Sequence, residues 1–77
     1  MIRVLIGTNT NRKTVVINPS KTIKEVLEEN GVDYSTGGIH LDGESIGGAE
    51  LNRTFAEKGI NSDCMLISVV NAKGGIL

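Results

Sequence analysis

Few residues in this sequence are equipped for chemistry, and the pair that stands out has no side chains: Gly74-Gly75, close to the C-terminus and followed by Ile76-Leu77. Lacking Cβ atoms, two consecutive glycines give a backbone that can extend or take positive φ and thread a channel too narrow for other residues. A carboxylate at Gly75 would offer a nucleophile an acyl carbon with little around it, whereas a bulkier residue would obstruct the approach. As written, however, the Gly75 carbonyl sits in a peptide bond to Ile76. Any acyl chemistry at Gly75 would first require hydrolysis of the Gly75-Ile76 bond. The bland alternative is a frayed, glycine-rich end with no role, or an Ile76-Leu77 ending that is never cut.

The other candidates are weaker. His40 has no second histidine and no paired carboxylates beside it, so it reads as a solvated strand residue and not as a ligand or proton carrier. Cys64 opens an apolar run, where a small buried hydrophobe is the default, and no His or Lys cluster is placed to activate its thiol. As the single cysteine it also excludes an internal disulfide, and no Cys/His cluster supplies a zinc site. The Gly37-Gly38 and Gly47-Gly48 pairs lack the Gly-Lys-Ser/Thr that would complete a phosphate loop, and both read as turns. Lys13, Lys21, Lys24, Lys58 and Lys73 are candidate acceptor amines that the sequence does not rank. No catalytic residue, metal or cofactor is expected in this chain, which reads as a non-enzyme.

Composition narrows the partners. Lys and Arg total 8 against 9 Asp and Glu, a formal net charge of -1 with no block of like charges, which argues against nucleic acid or an anionic membrane as the main partner. Tyr34 and Phe55 are the only aromatics, too few to stack bases. No apolar run approaches the ~20 residues of a membrane span, and the N-terminus lacks the parts of a signal peptide. A cytoplasmic monomer is expected, with its free cysteine in a reducing compartment.

The elements that must position the tail follow from periodicity. Ile2, Val4 and Ile6 alternate in a β-branched run, residues 7–11 read as a turn, and Lys13 to Ile17 forms the second arm of a hairpin. After the break at Pro19-Ser20-Lys21, Thr22-Ile23-Lys24-Glu25 matches a capping box. Ile23, Val26 and Leu27 then make one core-facing stripe before Gly31 stops the helix. Residues 32–38 read as loop, Ile39-His40-Leu41 as a short strand into the Asp42-Gly43 turn, and Ile46 as a further pairing segment. From Leu51 to Gly59 the uneven apolar spacing predicts a compact turn with a 3₁₀ piece, anchored by Phe55. Met65 to Val70 is the most continuously apolar run, expected at mid-sheet and buried on both sides. Either Met65, Ile67 and Val69 or Leu66 and Val70 could face the helix, and the first set is favoured.

Taken in order, these elements and the Gly74-Gly75 ending resemble the ubiquitin family over nearly the whole chain. Pro19 to Val26 looks like the start of that family's helix, Leu41-Asp42-Gly43 like the turn after its third strand, and Thr54-Phe55 and Gly59-Ile60 fall in matching places. The resemblance implies an α+β, ubiquitin-like β-grasp fold: a mixed sheet of about four to five strands packed on one helix over about residues 22–31. The domain would cover residues 1–70, with residues 71–77 as a flexible C-terminal tail. It also implies a candidate partner surface around His40, Leu5 and Val70. His40 falls where ubiquitin carries the exposed isoleucine of its receptor-binding patch, so receptors for ubiquitin itself should bind poorly.

The sequence is most similar to the bacterial ubiquitin-like proteins encoded beside an E1-like activating enzyme, an E2-like conjugating enzyme and a JAB-type metallopeptidase. That likeness implies a modifier made as a precursor, clipped between Gly75 and Ile76 by a zinc-bound water of the peptidase. It would then be activated at the Gly75 carboxylate and joined to amines of target proteins, with Gly74 and Gly75 as the conjugation residues. The tail lacks ubiquitin's alternating leucines and arginines, which implies a dedicated activating enzyme. Two other readings stay open: a β-grasp sulfur carrier ending as a thiocarboxylate at Gly75, and a non-covalent interaction module with an inert tail. Carriers usually end at the glycine itself, so Ile76-Leu77 counts against the first.

Overall fold

The computed structural model describes residues 1–35 and 37–70, the last of these by its backbone alone. β1 (Ile2–Thr8) and β2 (Arg12–Ile17) form an antiparallel hairpin in which Ile2 pairs with Ile17 and Gly7 with Arg12. β1 runs two residues beyond the expected end at Ile6, because Gly7 and Thr8 close the hairpin themselves. Gly7 has φ 155°, and a Cβ there would lie 2.0 Å from the Asn11 carbonyl oxygen, so only glycine fits. The Thr8 amide donates to the Asn11 carbonyl (2.8 Å), while its hydroxyl accepts from the Asn11 amide (3.1 Å).

α1 (Ile23–Glu29) begins as its sequence predicts. The Glu25 amide donates to the Thr22 hydroxyl (3.1 Å), and the Thr22 amide donates back to the Glu25 carboxylate (2.9 Å). Ile23, Val26 and Leu27 are fully buried, and Gly31, with φ 69°, provides the left-handed stop.

β3 (Gly37–Leu41) and β4 (Glu44–Ile46) form a second antiparallel hairpin around Asp42-Gly43, both at positive φ, the conformation a two-residue hairpin loop requires. Gly37-Gly38 is therefore the start of a strand and not a turn: the pair bonds along β5 (Cys64–Val70), which supplies the partner that a local reading lacks. The 3₁₀ helix spans Gly48–Asn52, earlier than expected. The compact turn after it is held by Thr54 and Glu57, whose side chains each accept the other's backbone N–H (2.9 and 3.0 Å). Phe55 is fully buried inside that turn.

The five strands form one mixed sheet in the order β2-β1-β5-β3-β4. β5 is central as expected, parallel to β1 and antiparallel to β3. Its inward set, however, is Cys64, Leu66 and Ser68, and not Met65, Ile67 and Val69. Val4 pairs with Cys64, Ile6 with Leu66 and Thr8 with Ser68, so the faces follow β1. Met65 and Val69 are each 39% exposed on the outer face, so β5 is not buried on both sides. Ser68, polar yet fully buried, disguised the inward parity, and its hydroxyl is satisfied by donating to the Asp33 carbonyl (2.9 Å). The core between sheet and helix is α+β packing of ubiquitin-like β-grasp form. Residues 71–77, expected as a tail, lie outside the described residues.

Candidate functional site

The site is a position on the sheet before it is a set of side chains. Because β5 is parallel to β1, its last residues lie at the sheet end where β1 finishes at Thr8, β2 begins at Arg12 and β3 begins at Gly37. Val69 pairs with Gly38 and Val70 with Gly37, so the central strand stays hydrogen-bonded up to its final residue. Gly74, Gly75 and Ile76 follow Val70 closely in sequence and lie outside the described residues. What the fold contributes is a paired base for them: β5 is held on both edges through Ser68 and by β3 alone at Val69 and Val70, and such pairing opposes fraying.

Of the residues expected on a partner surface, the structure brings two to the same face. Leu5 pairs with Met65 and His40 with Ile67, and Met65 and Ile67 point to the side of the sheet away from α1. His40 is half-buried and leans over Gly38, with its Nε2 3.6 Å from where a Gly38 Cβ would stand. Val70 joins the sheet through its backbone, and its side chain lies outside the described set. Reading the sequence missed the residues that fill this face: Met65, Val69 and the 60% exposed Val16, with Ile67 buried between Gly7 and His40. The alternation that could have found them is present in Met65, Ile67 and Val69, once their parity is fixed by β1.

A second feature also went unread. A groove of about 400 Å³ opens between the β1-β2 turn and the end of α1, walled by Ile6, Thr8, Lys13, Asn30, Gly31 and Val32. It lies at the same end of the sheet as Val70, on the helix side. The groove joins segments remote in sequence, which is why local patterning gives no sign of it.

Three ion pairs form among the described residues. Lys21 is bound to Glu29 and Lys58 to Glu50, while Arg3 meets Asp63 at 3.6 Å in an exposed pair. The Thr22 amide, then the Thr22 hydroxyl, hold the Glu25 carboxyl below its ordinary range. Lys58 and the Gly47 amide do the same for Glu50. Glu28, accepting from the Tyr34 hydroxyl, raises the tyrosine pKa. Burial first, then Asp42 and Asp63, push the Cys64 thiol up to about 11, the opposite of what an activated nucleophile needs. Among the described residues no group of three His, Cys, Asp or Glu side chains is placed to hold a metal ion, and no helix is long and apolar enough to cross a membrane.

No family model and no curated protein matches the chain. Among solved structures it is similar to a ubiquitin-like protein from the hyperthermophilic archaeon Caldiarchaeum subterraneum, with TM-score 0.50 and 12% identity over 91% of this chain and 94% of that one. At that identity the likeness shows the fold, and the fold is ubiquitin-like.

Proposed function

We propose that this chain is a ubiquitin-like protein modifier, made as a precursor and clipped between Gly75 and Ile76. It is then activated at the Gly75 carboxylate and attached through that carbon to amines of target proteins. The observation that carries the reading is the coupling of a di-glycine sequence to the end of the central strand. β5 is paired on both edges through Ser68 and on its β3 edge through Val70, and Lys73-Gly74-Gly75 follows within a few residues. A tail meant to carry its acyl carbon into another protein's buried site needs a firm base and a slender tip, and this sequence has both.

The partners on this reading are bacterial and cytoplasmic: an E1-like enzyme forms the acyl-adenylate, an E2-like enzyme carries the acyl group, and a JAB-type metallopeptidase supplies zinc and its bound water. The outer sheet face, with Leu5, Met65, Val69 and His40 exposed or half-buried, is where those partners would grip the domain. A histidine in the middle of that face favours dedicated partners over those that read an apolar patch.

Mass spectrometry after co-expression with a JAB-type metallopeptidase tests the first step. Loss of Ile76-Leu77 is expected, and a Gly75→Asp variant should keep both residues. An intact mass in the wild-type chain would remove the precursor from the reading. A processed tail carrying sulfur in place of one carboxylate oxygen would convert it to that of a carrier.

A further inference from the structure

If the chain modifies amines, its own lysines are candidate acceptors, and the structure ranks the four that lie among the described residues, Lys73 being outside them. Lys21 and Lys58 have their ammonium groups committed to Glu29 and Glu50, and the Lys58 side chain is only 22% exposed. Such an amine must leave its carboxylate before it can attack carbon. Lys24, on the body of α1, is half-buried. Among the described residues Lys13 is the one lysine that is exposed and not half-buried, and it makes no ion pair there.

Its position adds to this. Lys13 pairs with Ile6, which puts its side chain on the helix side of edge strand β2, along the wall of the 400 Å³ groove. The opposite wall includes Gly31, where nothing lies within 4 Å of the place a Cβ would occupy. Thr8, Asn30 and Val32 narrow the rest of the groove, so a backbone as slender as Gly74-Gly75 can come alongside the Lys13 amine at Gly31 where a bulkier tail would be held off.

We propose that Lys13 is the preferred acceptor on this chain, taking the Gly75 acyl group from the thioester of a second copy whose tail lies in the groove. This rests on the modifier reading. The neutral Nζ attacks the Gly75 carbonyl carbon, the C–N bond forms, and the C–S bond breaks. The thiolate leaves with its electron pair, and the proton lost by nitrogen passes to it or to solvent. The product is an isopeptide-linked dimer.

The test supplies the thioester chemically, so that it does not depend on whether cells clip or activate the tail. Chain 1–75 carrying a Gly75 thioester is mixed with the folded full chain, whose Met1 amine is capped by acetylation. Trypsin cleaves the donor after Lys73 and leaves a di-glycine remnant on the acceptor lysine, which mass spectrometry locates. The remnant is expected mainly on Lys13, severalfold above Lys24 and further above Lys21 and Lys58. The preference should disappear in urea, and Lys13→Arg should remove most of the dimer. A small acetylating ester in place of the protein thioester should mark Lys13 and Lys24 more evenly, because it has no use for the groove. An even spread of the remnant, a maximum at another lysine, or the same distribution with both reagents would overturn the proposal. The modifier reading would be untouched by that result, since it stands or falls on clipping at Gly75.

Discussion

Cys64 illustrates how a reactive residue type is made inert by its place. The thiol is 7% exposed at the start of the central strand, and burial with Asp42 and Asp63 nearby moves its pKa from 9.0 to about 11. Below both values a shift of that size makes the thiolate about 100-fold rarer in the folded state than in the unfolded one. Iodoacetamide at pH 8 should therefore alkylate the native protein at least that much more slowly than the protein in urea, and comparable rates would show the thiol to be accessible. The linkage has a definite sign. Above pH 9 the unfolded chain releases this proton first, so stability falls as the pH rises from 9 towards 11. A lone cysteine ahead of an apolar run was legible as a packing residue. His40 was legible only as lacking catalytic company, and its place over Gly38 beside Ile67 needed the register of β3 on β5.

Elements were read best where their signals are local. The capping box at Thr22 and Glu25, the stop at Gly31 and the turn at Asp42-Gly43 each specify their geometry within a few residues, and each stands where its sequence puts it. Glu25 and Glu50 both brace helix starts with carboxyls held below the ordinary 4.5. Their contribution is fully present above that value and is lost as the pH falls through the lower folded values, because the folded state must then take up protons it resists. Urea midpoints measured from pH 7 down to 3 should fall, and Glu25→Gln, which keeps an acceptor without the charge, should flatten that fall. An unchanged acid slope would count against the capping account. β5 was misread because its parity is set by a strand sixty positions earlier (Val4 with Cys64), not by its own letters. The correction is testable: Leu66→Ala should cost about 2–5 kcal/mol by leaving a core cavity, whereas Met65→Ala on the outer face should cost under about 1 kcal/mol. Equal losses in chemical denaturation would restore the opposite face.

At the scale of the molecule, sequence order foretold the architecture because each element could be recognised separately and few arrangements bury one helix against one such sheet. The groove was not foretold, and of the outer face only Leu5 and His40 were, since both features are made by segments that meet only in the fold. Most consequential is the junction of β1 with β5, where the second and third strands in the sheet's order are also the first and last of the described strands to be made. On the ribosome β1 can close its hairpin with β2 early, yet the core beneath it stays open until Cys64 to Val70 has emerged. Leu66, fully buried, and Ser68, donating to the Asp33 carbonyl, complete that core from the last described strand. Every molecule that has folded has thus already been translated through Val70, so the fold acts as a receipt for synthesis, and prematurely terminated chains remain open to proteolysis.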